Sequence, residues 1–316
     1  MALPVVMRAA FAQQAGKVWR IGFLAALPRP PDGLAPAPLR KSLQELGYTE
    51  GKDTVIVGRW AEGRTEQLGA LADELLAAKV DVIVAPGGPA AAAARKATSV
   101  TPIVVYNAGD MVETGLVTSL ARPGGNVTGV NDPATALSAK RLEILRELVP
   151  AAKRVAVLWN TNDNAMTLRY REIERAAKVM SVGIDPLGLR VPDDFDVAMA
   201  AMMRTRPDAL MMVNDSLTTM NRQRVLDFAA KQHIPGIFES VAVVQAGGLM
   251  SYGADVNETL KLVATYVARI LRGANPGDLP AEQPNRYYFV VNLKTAKALG
   301  LVVPQSLLLR ADEVIQ

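Results

Sequence analysis

The sequence predicts an α/β protein of two similar lobes, each a doubly wound parallel β-sheet, with a hinged cleft between them. Three observations lead to this prediction. Short apolar runs rich in β-branched residues alternate with segments whose apolar residues follow helical spacing. The alternation occurs in two successive series. The length of 316 residues is sufficient for two domains, each with its own core.

The first series contains the runs that predict the strands of one sheet. They are Trp19–Ala25, Thr54–Trp60, Val80–Ala85, Ile103–Tyr106 and Val127–Val130. Between the second and third runs, apolar residues recur at the positions of one helix face, namely Leu68, Leu71, Ala72, Leu75 and Leu76. Apolar strands that alternate with such helices indicate βαβ units and a parallel sheet covered on both faces.

The second series repeats this organisation. Its predicted strands are Val155–Trp159, Ile184–Arg190, Ala209–Val213, Ile234–Phe238 and Leu249–Tyr252. Corresponding segments of the two series follow in the same order: Arg20 pairs with Arg154, Asp81 with Asp208 and Pro102 with Pro235, at offsets of 134, 127 and 133 residues. A nearly constant offset is expected from two copies of one lobe. The alternative is that any two series of βαβ units look alike, because their strands share a composition.

The repeat predicts the extent of each lobe. We expect residues 17–130 and 253–280 to form the first lobe, and residues 131–252 and 281–316 to form the second. The expected crossings between lobes are Gly129–Asn131, Tyr252–Asp255 and the Pro- and Gly-rich segment Asn275–Pro284. Because ligands of open parallel sheets bind beyond the carboxyl ends of the strands, the loops there should line a shared cleft.

Residues 1–16 are interpreted as the remnant of a signal peptide or as a disordered N-terminus. The apolar run Ala2–Met7 precedes Ala10-Phe11-Ala12, which has the A-x-A form of a signal-peptidase site. The charged start of a signal peptide is missing and the apolar run is short. The resulting prediction is export to the periplasm, with a frayed terminus as the alternative.

Composition and motifs exclude several kinds of site. The chain has no cysteine and one histidine, which rules out disulfides, thiolate metal sites and multi-histidine metal sites. The net charge is only +4, and no block of like charge indicates a nucleic-acid partner. The phosphate-loop, dinucleotide and nucleophile-elbow motifs are absent from the sequence. We therefore expect no metal, no cofactor and no catalytic residue.

The turn after the third predicted strand is the candidate anion site. It contains two adjacent glycines followed by Pro89, which suits the first turn of a helix. The free amides of Gly88, Ala90 and Ala91, with the helix dipole, are expected to receive a carboxylate. An ordinary strand-to-helix turn is the alternative interpretation.

Polar and aromatic residues at the predicted strand ends are the remaining candidate ligand contacts. The polar ones are Asn107, Asp110, Asn160, Asn162, Asn164, Asn214, Asp215 and Glu239. Acids there would receive a ligand ammonium through charge-assisted hydrogen bonds, although Asn and Asp are also common turn formers. The aromatic ones, Tyr106, Trp159 and Phe238, would face an aromatic part of a ligand or pack in the core.

Several long segments resemble one protein family. They are Leu39–Gly51, Gly58–Arg64, Thr114–Gly129, Gly247–Gly253, Asp278–Pro284, Asn292–Leu301 and Pro304–Ile315. Together, from about Lys17 to Gln316, they are similar to the ABC-transporter substrate-binding proteins of the tryptophan/tyrosine type. The resemblance implies a periplasmic-binding-protein fold of type 1 that closes on a small molecule. It also implies delivery of that molecule to a membrane permease.

The resemblance implies part of the site as well. The turn Gly88–Ala90 matches the family loop that is expected to hold a ligand carboxylate. Asn107–Asp110 and the pair Trp159-Asn160 match family segments at the cleft. This sequence departs from the family in the proline-rich loop Leu27–Pro38, and in Met111, where the family has proline.

These observations predict a periplasmic solute-binding protein that acts as a monomer without catalysis. Its ligand would be a small carboxylate-bearing molecule, either an amino acid or an aromatic acid. One alternative is an α/β enzyme that uses the same cleft. Another is the effector-sensing domain of a regulator, which would need a helix-turn-helix outside Trp19–Gln316.

Overall fold

A computed structural model describes residues 17–132 and 134–316, so the predicted signal-peptide remnant lies outside the described residues. The strands are β1 (Trp19–Ala25), β2 (Thr54–Trp60), β3 (Val82–Pro86), β4 (Ile103–Tyr106), β5 (Val127–Gly129), β6 (Arg154–Asn160), β7 (Gly183–Leu189), β8 (Ala209–Met212), β9 (Gly236–Phe238), β10 (Met250–Ala254), β11 (Tyr287–Asn292) and β12 (Glu313–Ile315). Every predicted strand is present, and the predicted fold of two α/β lobes is confirmed.

Helices connect most of these strands. They are α1 (Ala37–Glu45), α2 (Leu68–Ala77), α3 (Gly88–Ala97), α4 (Ala134–Leu148), α5 (Asn164–Val179), α6 (Asp194–Thr205), α7 (Ser216–Met220), α8 (Arg222–Lys231), α9 (Val241–Gln245), α10 (Val256–Leu271), α11 (Leu293–Ala298) and α12 (Gln305–Leu308). None of the helices within the described residues has both the length and the apolar character needed to cross a membrane.

The first lobe consists of the sheet β2-β1-β3-β4-β5 with α1, α2, α3 and α10. All of its strand pairs are parallel. Along β3, Ile83 packs towards α2 and α3, whereas its neighbours Val82 and Val84 pack towards α1 and α10. Burial of both faces explains why this strand is an unbroken apolar run in the sequence.

The second lobe consists of the sheet β12-β11-β10-β9-β8-β6-β7 and the remaining helices. Its strands pair in parallel except β11, which runs antiparallel to β10. The strands β11 and β12 were not predicted, although Tyr287–Asn292 has the aromatic and β-branched composition of a strand. The expectation of a wholly parallel sheet is therefore wrong at this edge, because the chain returns from the first lobe in the opposite direction.

Along the described residues, the backbone passes between the lobes three times. It leaves the first sheet after β5 and enters α4, and it returns from β10 into α10, which packs on the first sheet. It crosses again between Leu279 and Tyr287 to reach β11. The first and last crossings lie side by side, since the amide of Asn131 donates to the carbonyl of Glu282 at 2.8 Å.

Candidate ligand-binding site

A cavity of about 810 Å³ lies between the lobes, and we call it the interlobe chamber. The segments that follow β2 and β3 line it from the first lobe, and those that follow β6, β7 and β8 line it from the second. Its walls include Arg64, Gly88, Asn160, Asp163, Arg190 and Met220. The carboxyl ends of two parallel sheets therefore face one another here, which is where α/β proteins place their ligands.

Glycines of the first lobe meet side chains of the second lobe beside the chamber. A Cβ atom placed on Gly109, after β4, would lie 2.5 Å from the Cβ of Ala165 in α5. A Cβ atom placed on Gly63, after β2, would lie 2.9 Å from the Cε of Met220. These distances are too short for a side chain, so the glycines allow the lobes to close on one another.

The N-terminus of α3 supplies free amide donors to the chamber. The helix is preceded by Gly87, whose φ of 83° suits glycine and which offers no side-chain cap. Among the described residues, none accepts a hydrogen bond from the amide of Gly88 or Ala90. The amide of Ala91 donates to the Gly87 carbonyl at 3.1 Å, so the expectation that Ala91 is free was wrong. Ala90 itself is buried and does not line the chamber.

Asp163 faces this helix from the second lobe. Both of its carboxylate oxygens lie 3.3 Å from the position that a Cβ atom would take on Gly88. The residue is 6% exposed, and its Oδ1 accepts a hydrogen bond from the amide of Ala165 at 2.9 Å, which caps α5. The backbone amide of Met166 also interacts with the carboxylate. Burial raises the pKa of Asp163, and the negative charge of Asp215 raises it further.

Asp163 was missed by sequence reasoning, although a signal for it was present. Its neighbours Asn162 and Asn164 were both singled out, and an aspartate directly before a helical pattern is a preferred N-cap. The chamber also contains the predicted contacts Gly88, Pro89, Asn160 and Asn164. The structure therefore brings this part of the predicted site together around an acid that was not predicted.

Asp215 lies behind the chamber rather than on its wall. Its Oδ1 accepts hydrogen bonds from the Thr218 amide at 2.9 Å and from the Thr218 hydroxyl at 3.0 Å, which caps α7. Its Oδ2 accepts a hydrogen bond from the Asn160 side chain at 2.6 Å. Asp215 thus positions Asn160, which does line the chamber.

A second cavity, of about 520 Å³, lies beside the crossings, and we call it the hinge cavity. The predicted contacts Asn107, Asn214 and Glu239 line this cavity instead of the chamber. Asn107 has a φ of 53°, in the left-handed region that asparagine tolerates better than most residues. The structure therefore divides the predicted polar contacts between two cavities.

The carboxylate of Glu239 is held by two arginines. It accepts hydrogen bonds from Arg141 at 3.0 Å and from Arg169 at 2.6 Å, and Arg169 also forms an ion pair with Asp132. The Nε atom of Arg141 donates to the carbonyl of Tyr252 at 2.7 Å. The charged side chains are at least nine-tenths buried, so each charge depends on its partner.

Burial acts to lower the pKa of Arg169, but the negative charge of four nearby carboxylates raises it. These carboxylates belong to Asp132, Glu239, Asp163 and Asp215. Arg169 is therefore close enough to interact electrostatically both with the acid of the chamber and with the acids of the hinge cavity.

Two further predicted contacts have local partners. The carboxylate of Asp110 accepts hydrogen bonds from the amides of Val112 and Glu113, both at 2.9 Å, and closes a turn. Trp159 lies in the core of the second lobe, where its ring stacks on Tyr170 with centroids 3.8 Å apart.

The other aromatic strand ends, Tyr106 and Phe238, are also buried in the cores, which was the alternative interpretation for all three. No aromatic side chain of residues 17–132 and 134–316 lines the chamber. In the same residues, no group of three His, Asp or Glu side chains is arranged to bind a metal ion.

Comparison with known proteins accounts for this architecture. Residues 33–315 match the family described as ABC transporter substrate binding protein. The chain belongs to this family. The family predicted from the sequence is thereby confirmed, and this substrate-binding protein has the role of a solute receptor for an ABC transporter.

Individual relatives agree with the family assignment. A curated tyrosine-binding protein of Clostridioides difficile strain R20291 is 28% identical to this substrate-binding protein over 261 residues, which cover 83% of this chain and 75% of that protein. A conserved domain protein from Vibrio cholerae has a TM-score of 0.87 at 24% identity, with 94% of this chain and 100% of that chain covered. An ABC domain in complex with L-Trp from Streptococcus pneumonia has a TM-score of 0.86 at 24% identity, covering 95% and 100%. The two structural matches show that the fold is shared.

Proposed function

We propose that this substrate-binding protein captures a free α-amino acid in the interlobe chamber and delivers it to the permease of an ABC importer. One observation carries the proposal: the carboxylate of Asp163 lies beside the start of α3, with both oxygens 3.3 Å from the Cβ position of Gly88, whose amide is free. An α-amino acid carries an ammonium and a carboxylate on the same carbon atom. Such a head group would satisfy Asp163 with its ammonium and the amide of Gly88 with its carboxylate.

Charge balance favours an amino acid over an aromatic acid. Among the described residues of this region, four acids lie near Arg169, namely Asp132, Asp163, Asp215 and Glu239, whereas the buried bases are Arg141 and Arg169. The acids therefore exceed the bases, and a ligand ammonium would reduce the imbalance. A carboxylic acid without an amino group would instead bring a second negative charge close to Asp163.

The residues that line the chamber determine which contacts a ligand side chain can make. They are aliphatic at Pro89, Leu116 and Val191 and charged at Arg64 and Arg190. The names of the relatives mention tyrosine and L-Trp, and we extend only the amino-acid class to this chain. Without aromatic rings on the described walls, an aromatic side chain would be held by aliphatic contacts rather than by ring stacking.

Isothermal titration calorimetry tests the proposal with the twenty amino acids, benzoate and phenylacetate. We expect at least one amino acid to bind and its deaminated analogue not to bind. Asp163→Asn keeps the cap of α5 but removes the charge, and should weaken binding about tenfold or more, since a hydrogen bond to a charged group contributes about 1.5–3 kcal/mol.

A matched control for this variant is Asp193→Asn. Asp193 precedes α6, is exposed, and makes no capping hydrogen bond through its side chain. The control should bind like the parent protein. Failure of every amino acid to bind, or equal affinity of the parent and Asp163→Asn, would contradict the proposal.

We further infer that the ligand is released unchanged, and that the protein acts as a monomer in the periplasm. Asp163, on the chamber wall, caps α5, and Asp215, behind the wall, caps α7, so both carboxylates have structural roles. Mass spectrometry of the ligand after prolonged incubation, with fractionation of the source cells, tests these inferences. Conversion of the ligand into a product would support the enzyme alternative instead.

A further inference from the structure

The first crossing between the lobes is fixed to the first lobe at Asp132. The amide of Asp132 donates to the Gly109 carbonyl at 3.3 Å. The preceding residue, Asn131, is fully buried, and its side-chain oxygen accepts a hydrogen bond from the Met111 amide at 2.7 Å. Gly109 and Met111 both belong to the loop after β4, so the backbone of Asp132 moves with the first lobe.

The side chain of the same residue is bound to the second lobe. Its Oδ1 accepts a hydrogen bond from the Ala134 amide at 2.9 Å, and its Oδ2 forms the ion pair with Arg169 of α5. Arg169 is in turn held by Glu239 and by the carbonyl of Asn214, at 2.6 and 3.5 Å. This ion pair therefore joins the two lobes beside the first crossing.

Loss of the ion pair with Asp132 would be unfavourable for Arg169. Its side chain is 3% exposed, and its Nε atom is buried without a hydrogen-bond partner among the described residues. Removal of one member of a buried ion pair leaves the other charge uncompensated, which is strongly unfavourable. Rotation of the lobes that separated Asp132 from Arg169 would leave Arg169 with Glu239 as its ion-pair partner, and would therefore incur part of this cost.

We propose that Arg169 is a positioning residue for ligand capture, which holds the lobes closed through Asp132 while its helix presents Asp163 to the ligand. Arg169 and Asp163 lie on one rigid unit, since Asp163 caps the helix that carries Arg169. The ion pair sets the fraction of molecules that are closed before ligand arrives. Because apparent affinity scales with that fraction, the pair also sets the affinity. The part concerning the ligand rests on the proposed amino-acid function.

Distance measurements between two spin labels test the inference directly. The chain has no cysteine, so Gln67→Cys in the first lobe and Val197→Cys in the second give two unique, exposed labelling sites. Without ligand, Asp132→Asn should increase the population with the longer separation. Arg169→Lys should do the same, because one ammonium cannot hold Asp132 and Glu239 in the same geometry. With ligand, both variants should bind about tenfold more weakly.

The control is Asp196→Asn, which removes the same charge from an exposed ion pair with Arg224 within the second lobe. It should change neither the separation nor the affinity. The inference is overturned if Asp132→Asn or Arg169→Lys gives the same separations as this control. Arg169→Lys retains the buried positive charge and so carries the test if Asp132→Asn folds poorly. The ligand-free measurement remains decisive even if no amino acid binds, which separates this inference from the proposed function.

Discussion

At the scale of single residues, closure of this protein depends on small side chains where the lobes meet. Gly63, Gly88 and Gly109 all belong to loops or helix starts of the first lobe. Each faces a residue of the second lobe at a distance that leaves little or no room for a Cβ atom. A larger side chain at any of these glycines would push the lobes apart and would leave the core of each lobe unchanged.

Ala165→Met tests this dependence. The Ala165 side chain is buried against Gly109, so a longer side chain can be accommodated only if the lobes move apart. We expect ligand affinity to fall about tenfold. The melting temperature without ligand should also fall, because Ala165 belongs to the buried core of the second lobe as well. Calorimetry measures the affinity and the melting temperature, and small-angle scattering measures the separation of the lobes. The control, Ala200→Met on the exposed side of α6, should alter none of these, and equal affinity in both variants would count against the argument.

The raised pKa of Asp163 predicts a pH dependence of ligand binding. The ligand ammonium needs the ionised carboxylate, so affinity should decrease as the pH falls through the pKa of Asp163. The decrease should begin at a higher pH than an ordinary aspartate would give. Calorimetric titrations at several pH values measure it, and Asp163→Asn should remove this dependence.

The same group has an opposite effect on the stability of the free protein. A pKa that is higher in the folded state means that the folded state binds the proton more tightly. Protonation of Asp163 therefore stabilises the fold at low pH, and this contribution is lost as the pH rises through its folded-state pKa. A ligand that binds more tightly at lower pH would contradict the role given to Asp163.

At the scale of elements, three helices begin at the chamber. They differ in whether a side chain caps the free amides of the N-terminus. Asp163 caps α5 and Asp215 caps α7, each through a side-chain carboxylate. In contrast, α3 follows Gly87, which has no side chain with which to cap it. The amides of α3 are therefore the ones left for a ligand anion.

Gly88→Ala tests the role of α3. The added methyl group would lie 3.3 Å from both oxygens of Asp163, beside the free amide of residue 88. We expect affinity to fall at least about tenfold. Stability should be unchanged or higher, because alanine in a helix is favoured over glycine by about 0.5–1 kcal/mol.

Gly69→Ala in α2 is the matched control for Gly88→Ala. No atom lies within 4 Å of its added methyl group, so it should affect stability alone. Calorimetry with thermal unfolding separates the two properties. A Gly88→Ala protein that binds as tightly as the control would exclude α3 from the ligand site.

At the scale of the whole molecule, most of the fold followed from periodicity. The runs that predicted β1 and β2 match the observed bounds residue for residue. Strands buried on both faces have unbroken apolar runs, so their signal is local and strong. The strands β11 and β12, at one end of the second sheet, were not predicted because they lie outside the repeat. Their place in the sheet depends on pairing with β10 after the chain has returned from the first lobe.

The sequence by itself determined the two lobes, the glycine turn before α3 and the polar residues at the strand ends, because each depends on neighbours in the chain. Only the tertiary structure decided which of these residues share a cavity. Glu239 is held by Arg141 and Arg169, which are 98 and 70 positions away, and Asp163 faces Gly88 from the other lobe. A carboxylate is open to a ligand only when no buried cation holds it, and that depends on long-range packing, which residue spacing does not encode.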